Sequence, residues 1–242
     1  MKKFIAAGLA LCMAFMLAAC GASPSSTASQ AGSGTSAAAD GSAVTIKLGG
    51  IGPITGSTAV YGEAVMNGAQ IAVDEINASD SAAKFEYNFQ DDEGDAETAV
   101  NAYNILKDWG MQVLMGTVTT APCLAVISET EADNMFQITP SASSTDVIVP
   151  DNVFQVCFTD PNQGVSAADY IADNGLATKV AAIYDSSDAY SSGIYNAFAA
   201  EAEAKGLEIV CAEAFTADNK TDFRTQLQKA QSAGADLVFL PI

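Results

Sequence analysis

The 242-residue sequence contains no histidine, one tryptophan, and only 10 lysines and arginines against 29 aspartates and glutamates. Without histidine there is no Ser-His-Asp or Cys-His catalysis, and no zinc site that depends on imidazole. A formal charge of −19 leaves no basic face to neutralise phosphates, which argues against nucleic acid as a partner. Cysteine is sparse and unpatterned. Cys12 and Cys20 stand near the N-terminus, and Cys123, Cys157 and Cys211 remain, each in or beside an apolar run. Three is an odd number and no spacing demands a bridge, so buried free thiols are expected. One serine-lysine pairing occurs, Ser81-Ala82-Ala83-Lys84, but it lies in a turn leading into a strand, where the S-x-x-K arrangement needs a helical turn. Binding is therefore expected rather than catalysis. The chain is 49% hydrophobic and long enough for a real core in one or two domains.

What is present begins with a leader. Met1-Lys2-Lys3 is basic, and Phe4 to Ala19 is uncharged and almost wholly apolar, the pattern of a secretory signal peptide. The apolar run is shorter than the ~20 residues a spanning helix needs. Residues 21–43 are mostly Ser, Ala, Gly and Thr; with no large apolar side chain they cannot offset their ordering entropy, and a flexible linker is expected. Loss of Lys2 and Lys3 with the leader would take the charge from −19 to −21, a body repelled by anionic membrane surfaces.

From Val44 onward, short apolar runs alternate with segments of helical period. Strands are predicted over Val44–Gly50, Lys84–Gln90, Val113–Gly116, Met135–Ile138, Val153–Phe158, Lys179–Tyr184, Leu207–Cys211 and Asp236–Leu240. Between them, Glu63–Asn77 presents Val65, Ala69, Ala72, Val73 and Ile76 on one face. Asp222–Ser232 presents Phe223, Leu227 and Ala230, with Thr221 as its expected cap and Gly234 as its stop. Strand–helix–strand repetition predicts an α/β fold with parallel sheets flanked by helices, whose ligands bind at the carboxyl ends of strands. A boundary near residue 160 gives a first lobe over 44–160 and a second, partial lobe over 161–242.

Four stretches invite chemistry. Gly49 to Gly56 departs from a dinucleotide fingerprint, because the third glycine should stand at Thr55 and the helix is expected only near Gly62. No cofactor is expected. The acidic run Asp91 to Glu97 lacks the alternating ligands of a calcium loop. It reads as a strand end, with Asp95 capping the next helix and Glu97 complementing its dipole, and no metal is expected. Gly116 to Pro122 closes a strand and opens a helix, so free amides and the hydroxyls of Thr119 and Thr120 would suit a carboxylate. Ile138 to Ser144 is a second hydroxyl-rich turn. Two such turns in one lobe suggest a shared polar pocket, although Ser and Thr also favour turns for their own sake.

Two sets of residues resemble known families. Leu17-Ala18-Ala19-Cys20 resembles the bacterial lipobox, which implies a lipoprotein signal peptide over 1–20 and lipid on Cys20. The body resembles the type I solute-binding proteins of bacterial ABC transporters, in the branched-chain amino-acid (Leu/Ile/Val) binding group. The resemblance is carried in order by Ile46-Lys47-Leu48-Gly49 through Thr55-Gly56, Tyr61-Gly62, Asn67-Gly68-Ala69, Asp74-Glu75-Ile76-Asn77 and Asp91-Asp92. It continues through the Gly116 turn, Ile138-Thr139-Pro140, Asp160-x-x-Gln163-Gly164, Tyr190 to Gly193 and Lys220 to Phe223. It implies a two-lobed fold closing on an amino acid, a monomer, and an exported, membrane-anchored receptor that serves an ABC permease. A sensory receptor of the same fold, binding an amide or amino-acid-like ligand, is the alternative. By the same resemblance, Thr119, Thr120 and Ala121 hold the ligand carboxylate. Ser141 offers a carbonyl and Ser143 a hydroxyl, Tyr61 packs on the ligand side chain, and Tyr190 closes the cleft from the second lobe. The family's small disulfide would need cysteines at Gly94 and Thr119, and a basic residue common in its fifth strand is replaced by Gln155. The acidic partner of the ligand ammonium, a further aromatic and the return crossing to the first lobe fall beyond Ile242 in that family, which implies a C-terminally truncated form.

Overall fold

A computed structural model of the chain describes residues 43–242. The expected signal peptide, Cys20 and nearly all of the linker lie outside the described residues. Among the described residues eight strands and six α-helices alternate, except that β4 passes to β5 through a short 3₁₀ turn, Thr145–Ile148. In the first half they are β1 (Val44–Gly52), α1 (Ala59–Ala78), β2 (Ala83–Asp91), α2 (Ala96–Trp109), β3 (Val113–Met115), α3 (Thr120–Asp133), β4 (Gln137–Thr139) and β5 (Val153–Gln155). In the second half they are α4 (Asp160–Asp173), β6 (Lys179–Asp185), α5 (Ala189–Lys205), β7 (Glu208–Phe215), α6 (Arg224–Ser232) and β8 (Leu237–Phe239).

The strands form two parallel sheets, one in the order β2-β1-β3-β4-β5 and one in the order β7-β6-β8. Both orders run outward from their first strand in two directions. This creates a switch point between β1 and β3, and another between β6 and β8, where loops at the carboxyl ends diverge and leave a crevice.

Each sheet is closed by helices that bury one apolar stripe. Ile51, Tyr103, Leu106, Leu114 and Val126 form the first core, contributed by β1, α2, β3 and α3. Val180, Phe198, Ala202 and Leu207 form the second, with Phe239 stacked on Phe198 at 3.9 Å between ring centroids. Burial of each large apolar side chain contributes about 1.5–3 kcal/mol. The two halves meet through α4, which packs along α5, and through loop contacts described below.

Every predicted strand is present with shifted ends. The seventh differs most, running on from Cys211 to Phe215, and the fifth and fourth differ next. Pairing of β5 stops at Gln155, and Val156 and Phe158 are exposed. β4 starts at Gln137, because Met135 packs sideways into the first core. The helix after β1 starts at Ala59, earlier than the expected position near Gly62. Of its predicted face, Val73 is buried and Val65 and Ala69 are half-buried, while Ala72 and Ile76 are exposed. The helix meets the sheet over a narrower stripe than its sequence offers. Thr221 does not cap α6. Phe223 holds the cap position with no side-chain cap bond, and Asp222 Oδ1 accepts the Arg224 N–H at 3.1 Å in a local turn just ahead of the helix. On α6, Phe223 meets Phe215 edge-on at 5.0 Å and Ala230 is buried, but Leu227 lies outside that contact and is exposed. Gly234 does end the helix, at φ 76° beside the Ala235 N–H to Ala230 carbonyl bond of 3.1 Å. Asp95 caps α2 as expected, accepting from Thr98 N–H at 2.8 Å. Cys123, Cys157 and Cys211 are free thiols, but only Cys123 is buried; Cys157, just beyond the end of β5, and Cys211, on edge strand β7, are half-buried.

Candidate functional site

The loops after β1, β3 and β4 all emerge at the carboxyl edge of the first sheet, around its switch point. The first is shaped by Asp91 at the end of β2. Its carboxylate accepts from the Ile54 N–H at 2.9 Å, the Thr55 hydroxyl at 2.6 Å and the Glu93 N–H at 2.9 Å. Burial alone would raise the Asp91 pKa, but these bonds outweigh it and hold the carboxyl below its usual range. The acidic run thus clamps the loop that leads to Tyr61, a role its charge pattern alone did not reveal.

The other two loops are knitted to each other. The Thr139 hydroxyl donates to the Thr117 carbonyl at 2.8 Å, and the Ser141 hydroxyl donates to the Val118 carbonyl at 2.6 Å. The Ser143 N–H donates to the Thr120 hydroxyl at 3.3 Å. Beneath them, fully buried Gln137 accepts from the Thr130 hydroxyl at 2.7 Å and donates to the Gly116 carbonyl at 2.8 Å. Gln155 reaches in from β5 and donates to the Ala142 carbonyl at 2.6 Å and the Ser144 carbonyl at 3.3 Å. A neutral amide therefore ties the second turn where the resembled family often carries a cation.

The α3 start lies between these loops. The Thr119 carbonyl accepts the Cys123 N–H at 3.1 Å, which begins the helical ladder. Thr120 and Ala121 carry the amides that the helix itself leaves unused, and Pro122 has none to give. The Thr119 hydroxyl is buried and has no hydrogen-bond partner. Free amides, the positive end of the helix and an unused hydroxyl together suit an anion.

The second half contributes Tyr190, in the first turn of α5. Asp188 caps that helix, accepting from the Tyr190 and Ser191 N–H groups, both at 3.4 Å. Burial pushes the Tyr190 phenol up, and Asp160, Tyr61 and Asp188 add to the rise. Tyr61, at the start of α1, is 62% exposed on the first half's side. The structure thus brings Thr119, Thr120, Ala121, Ser141 and Ser143 into one constellation, with Tyr61 and Tyr190 at its rim. Asp91, Gln155, Asp160 and Gln163 support it and were not named as site residues from sequence. Asp91, Asp160 and Gln163 stand in the motifs that carried the resemblance, and this was the available signal.

Among the described residues no cluster of three or more Cys, Asp or Glu is placed to hold a metal, and no helix is long and apolar enough to cross a membrane. A separate cavity of about 350 Å³ opens beside β7 and α6, lined by Ser186, Phe215, Thr216, Asn219, Asp222 and Gln226. It holds none of the turn residues.

The fold has counterparts among known proteins. The chain is 33% identical over 198 residues to Leu/Ile/Val-binding protein homolog 3 of Brucella melitensis, covering 80% of this chain and 53% of that protein. It shares the same identity over the same length with the Leu/Ile/Val-binding protein BraC3 of Rhizobium johnstonii. The chain spans about half the length of the curated relatives it matches. Among solved structures, a leucine binding protein from Thermotoga maritima superposes with a TM-score of 0.75 at 27% identity, over 81% of this chain and 55% of that one. A branched-chain amino acid transporter substrate binding protein from Streptococcus pneumoniae, in complex with isoleucine, gives 0.74 at 29% identity, over 81% of this chain and 56% of that one. The family model described as periplasmic binding protein matches residues 45–241, and the chain belongs to that family, with the type I fold of parallel sheets flanked by helices.

Proposed function

We propose that this chain is the ligand-binding body of an exported receptor that captures a small amino acid, branched-chain in preference, for an ABC permease. The observation that carries the proposal is the joined pair of turns at the start of α3, linked by the Ser143 N–H to Thr120 hydroxyl bond of 3.3 Å. The ligand carboxylate takes the amides of Thr120 and Ala121 and the hydroxyls of Thr119 and Thr120. The ammonium takes the Ser141 carbonyl and the Ser143 hydroxyl. The side chain rests on Tyr61, and Tyr190 closes over it from the second lobe. In this reading residues 44–160 and 161–242 act as two lobes about one cleft. Relatives named as Leu/Ile/Val-binding proteins support the ligand class. Lipid on Cys20 would tether the body, with residues 21–43 as the spacer.

The test is a thermal-shift panel of the amino acids on the chain from Gly21 onward. Ligand at about a hundred times its dissociation constant adds about 2.7 kcal/mol, which raises the melting point by roughly 5–10 °C at this size. A shift with leucine, isoleucine or valine and none with charged amino acids is the expected result. No shift with any amino acid would set the reading aside.

A further inference from the structure

Asp160 is the first residue of α4, and it is 2% exposed. Its backbone N–H donates to the Ser143 carbonyl at 2.8 Å, which fixes it directly beside the hydroxyl turn of the candidate site. Its Oδ1 accepts from the Gln163 side-chain amide at 3.4 Å, and the Gln163 carbonyl oxygen accepts from the Tyr190 phenol at 3.3 Å. Together with the Ser143 N–H to Thr120 bond, this makes an unbroken polar chain: Tyr190, Gln163, Asp160, Ser143, Thr120. It runs from the second half of the protein to the start of α3 in the first.

The chain has one loose end. Asp160 Oδ2 is buried and has no hydrogen-bond partner. None of the ion pairs among the described residues includes Asp160. Its near charged neighbour is Asp188, of the same sign. On the α5 side Gly193 stands so close that a Cβ on it would lie 3.1 Å from Oδ2. A buried carboxylate oxygen without partner or counter-charge is costly, and native structures keep such groups where function uses them. Burial pushes the Asp160 carboxyl up, the Ser143 hydroxyl beside it works against that, and the Asp188 charge adds to the rise.

We propose that Asp160 is a positioning residue for recognition of the ligand's amino group, acting through Ser143. The carboxylate accepts a hydrogen bond from the Ser143 hydroxyl, so that the lone pairs of that oxygen are left to accept from an ammonium. Gln163 holds the carboxylate and Tyr190 in one register, so the residue that closes the cleft and the residue that reads the ammonium are set together. The missing counter-charge of the seam is then the ligand's own. This inference rests on the receptor reading and adds to it a requirement for a ligand cation.

The experiment is a double-mutant cycle on the full chain, with leucine affinity measured by calorimetry. Deaminated leucine, 4-methylpentanoate, is measured by displacement of leucine. Asp160→Asn keeps the size and the backbone bond to Ser143 but offers the hydroxyl an ambiguous partner. It is expected to weaken leucine at least tenfold and 4-methylpentanoate less than threefold. In a Ser143→Ala background the same change is expected to cost leucine less than threefold, because the hydroxyl it acts through is gone. Should Asp160→Asn fail to fold, Gln163→Leu removes both the amide that holds Asp160 Oδ1 and the tie to Tyr190, and is expected to give the same selectivity at about threefold. Equal losses for both ligands, or full additivity with Ser143→Ala, overturn the inference while leaving the receptor reading intact. No leucine binding by the unsubstituted chain overturns both.

Discussion

The Ser143 N–H donates to the Thr120 hydroxyl at 3.3 Å, across 23 residues of sequence and between two different loops. Both residues are almost fully buried. A hydroxyl that accepts an amide on one side is free to donate on the other, so in the proposed reading Thr120 donates a hydrogen bond to the ligand carboxylate. Thr120→Ala removes that donor and frees the Ser143 amide, and Ser143→Ala removes the expected partner of the ammonium. Each is expected to weaken leucine by about 1–3 kcal/mol. Thr120→Ser, which keeps the hydroxyl, should cost little. Calorimetric affinities that stay unchanged in both alanine variants would remove these residues from the site.

Tyr61 offers a broad apolar ring at the start of α1, 62% exposed. That exposure suits a group buried only when ligand arrives. Tyr61→Ala should therefore weaken leucine and isoleucine more than glycine or alanine, by about 1 kcal/mol or more of difference, through lost apolar and aromatic contact. Affinities measured across the series decide this, and equal losses for large and small ligands would contradict a side-chain role.

The strands were legible because apolar runs bounded by turn residues need little context. The two hydroxyl-rich turns were legible for the same reason, since Gly116 to Pro122 and Ile138 to Ser144 each follow a strand directly. The bonds that join them were not. Ser143 to Thr120 and Ser141 to Val118 are contacts between loops, and no periodicity records them. Asp91 and Asp160 were misread or passed over for a related reason. An aspartate beside a strand end looks the same in sequence whether it faces solvent or, as here, clamps a loop or sits 2% exposed in a seam. The faces of α1 and α6 failed differently. Their stripes are real in sequence, but each helix buries only part of its stripe: Val73 and Ala230 are buried, while Ile76 and Leu227 remain exposed.

Gly62 follows Tyr61, and a Cβ on it would stand 1.8 Å from the Pro53 carbonyl oxygen. That atom is backbone in the loop clamped by Asp91, so it cannot yield as a flexible side chain would. Gly62→Ala should push the start of α1 away from the loop and carry Tyr61 with it. The expected result is a loss of about 1–3 kcal/mol in stability, as for other overpacked sites, together with weaker leucine binding. A denaturant melt and a titration read the two effects. Unchanged stability would mean that the loop shifts freely, contrary to the Asp91 clamp.

Asp92 differs from its neighbour Asp91. It is fully buried, its Oδ1 accepts the Gly94 N–H at 2.9 Å, and its Oδ2 has no partner. Burial raises its pKa from 3.8 to about 6, the Gly94 bond opposes this, and the charges of Asp91 and Asp95 add to the rise. The folded state therefore binds a proton more tightly than the unfolded chain does. Unfolding releases that proton between about pH 4 and pH 6, so this group's contribution to stability falls as pH rises through the window and is flat above it. Asp92→Asn keeps the acceptor for Gly94 and cannot ionise. Its melting point should gain on that of the unsubstituted chain as pH rises from 4 to 7, by the few degrees that about 1–3 kcal/mol of buried, uncompensated charge represents. The comparison cancels every other titrating group, because both chains share them. A constant difference across that range would show that Asp92 titrates like an exposed carboxylate, and that the loop after β2 opens to water.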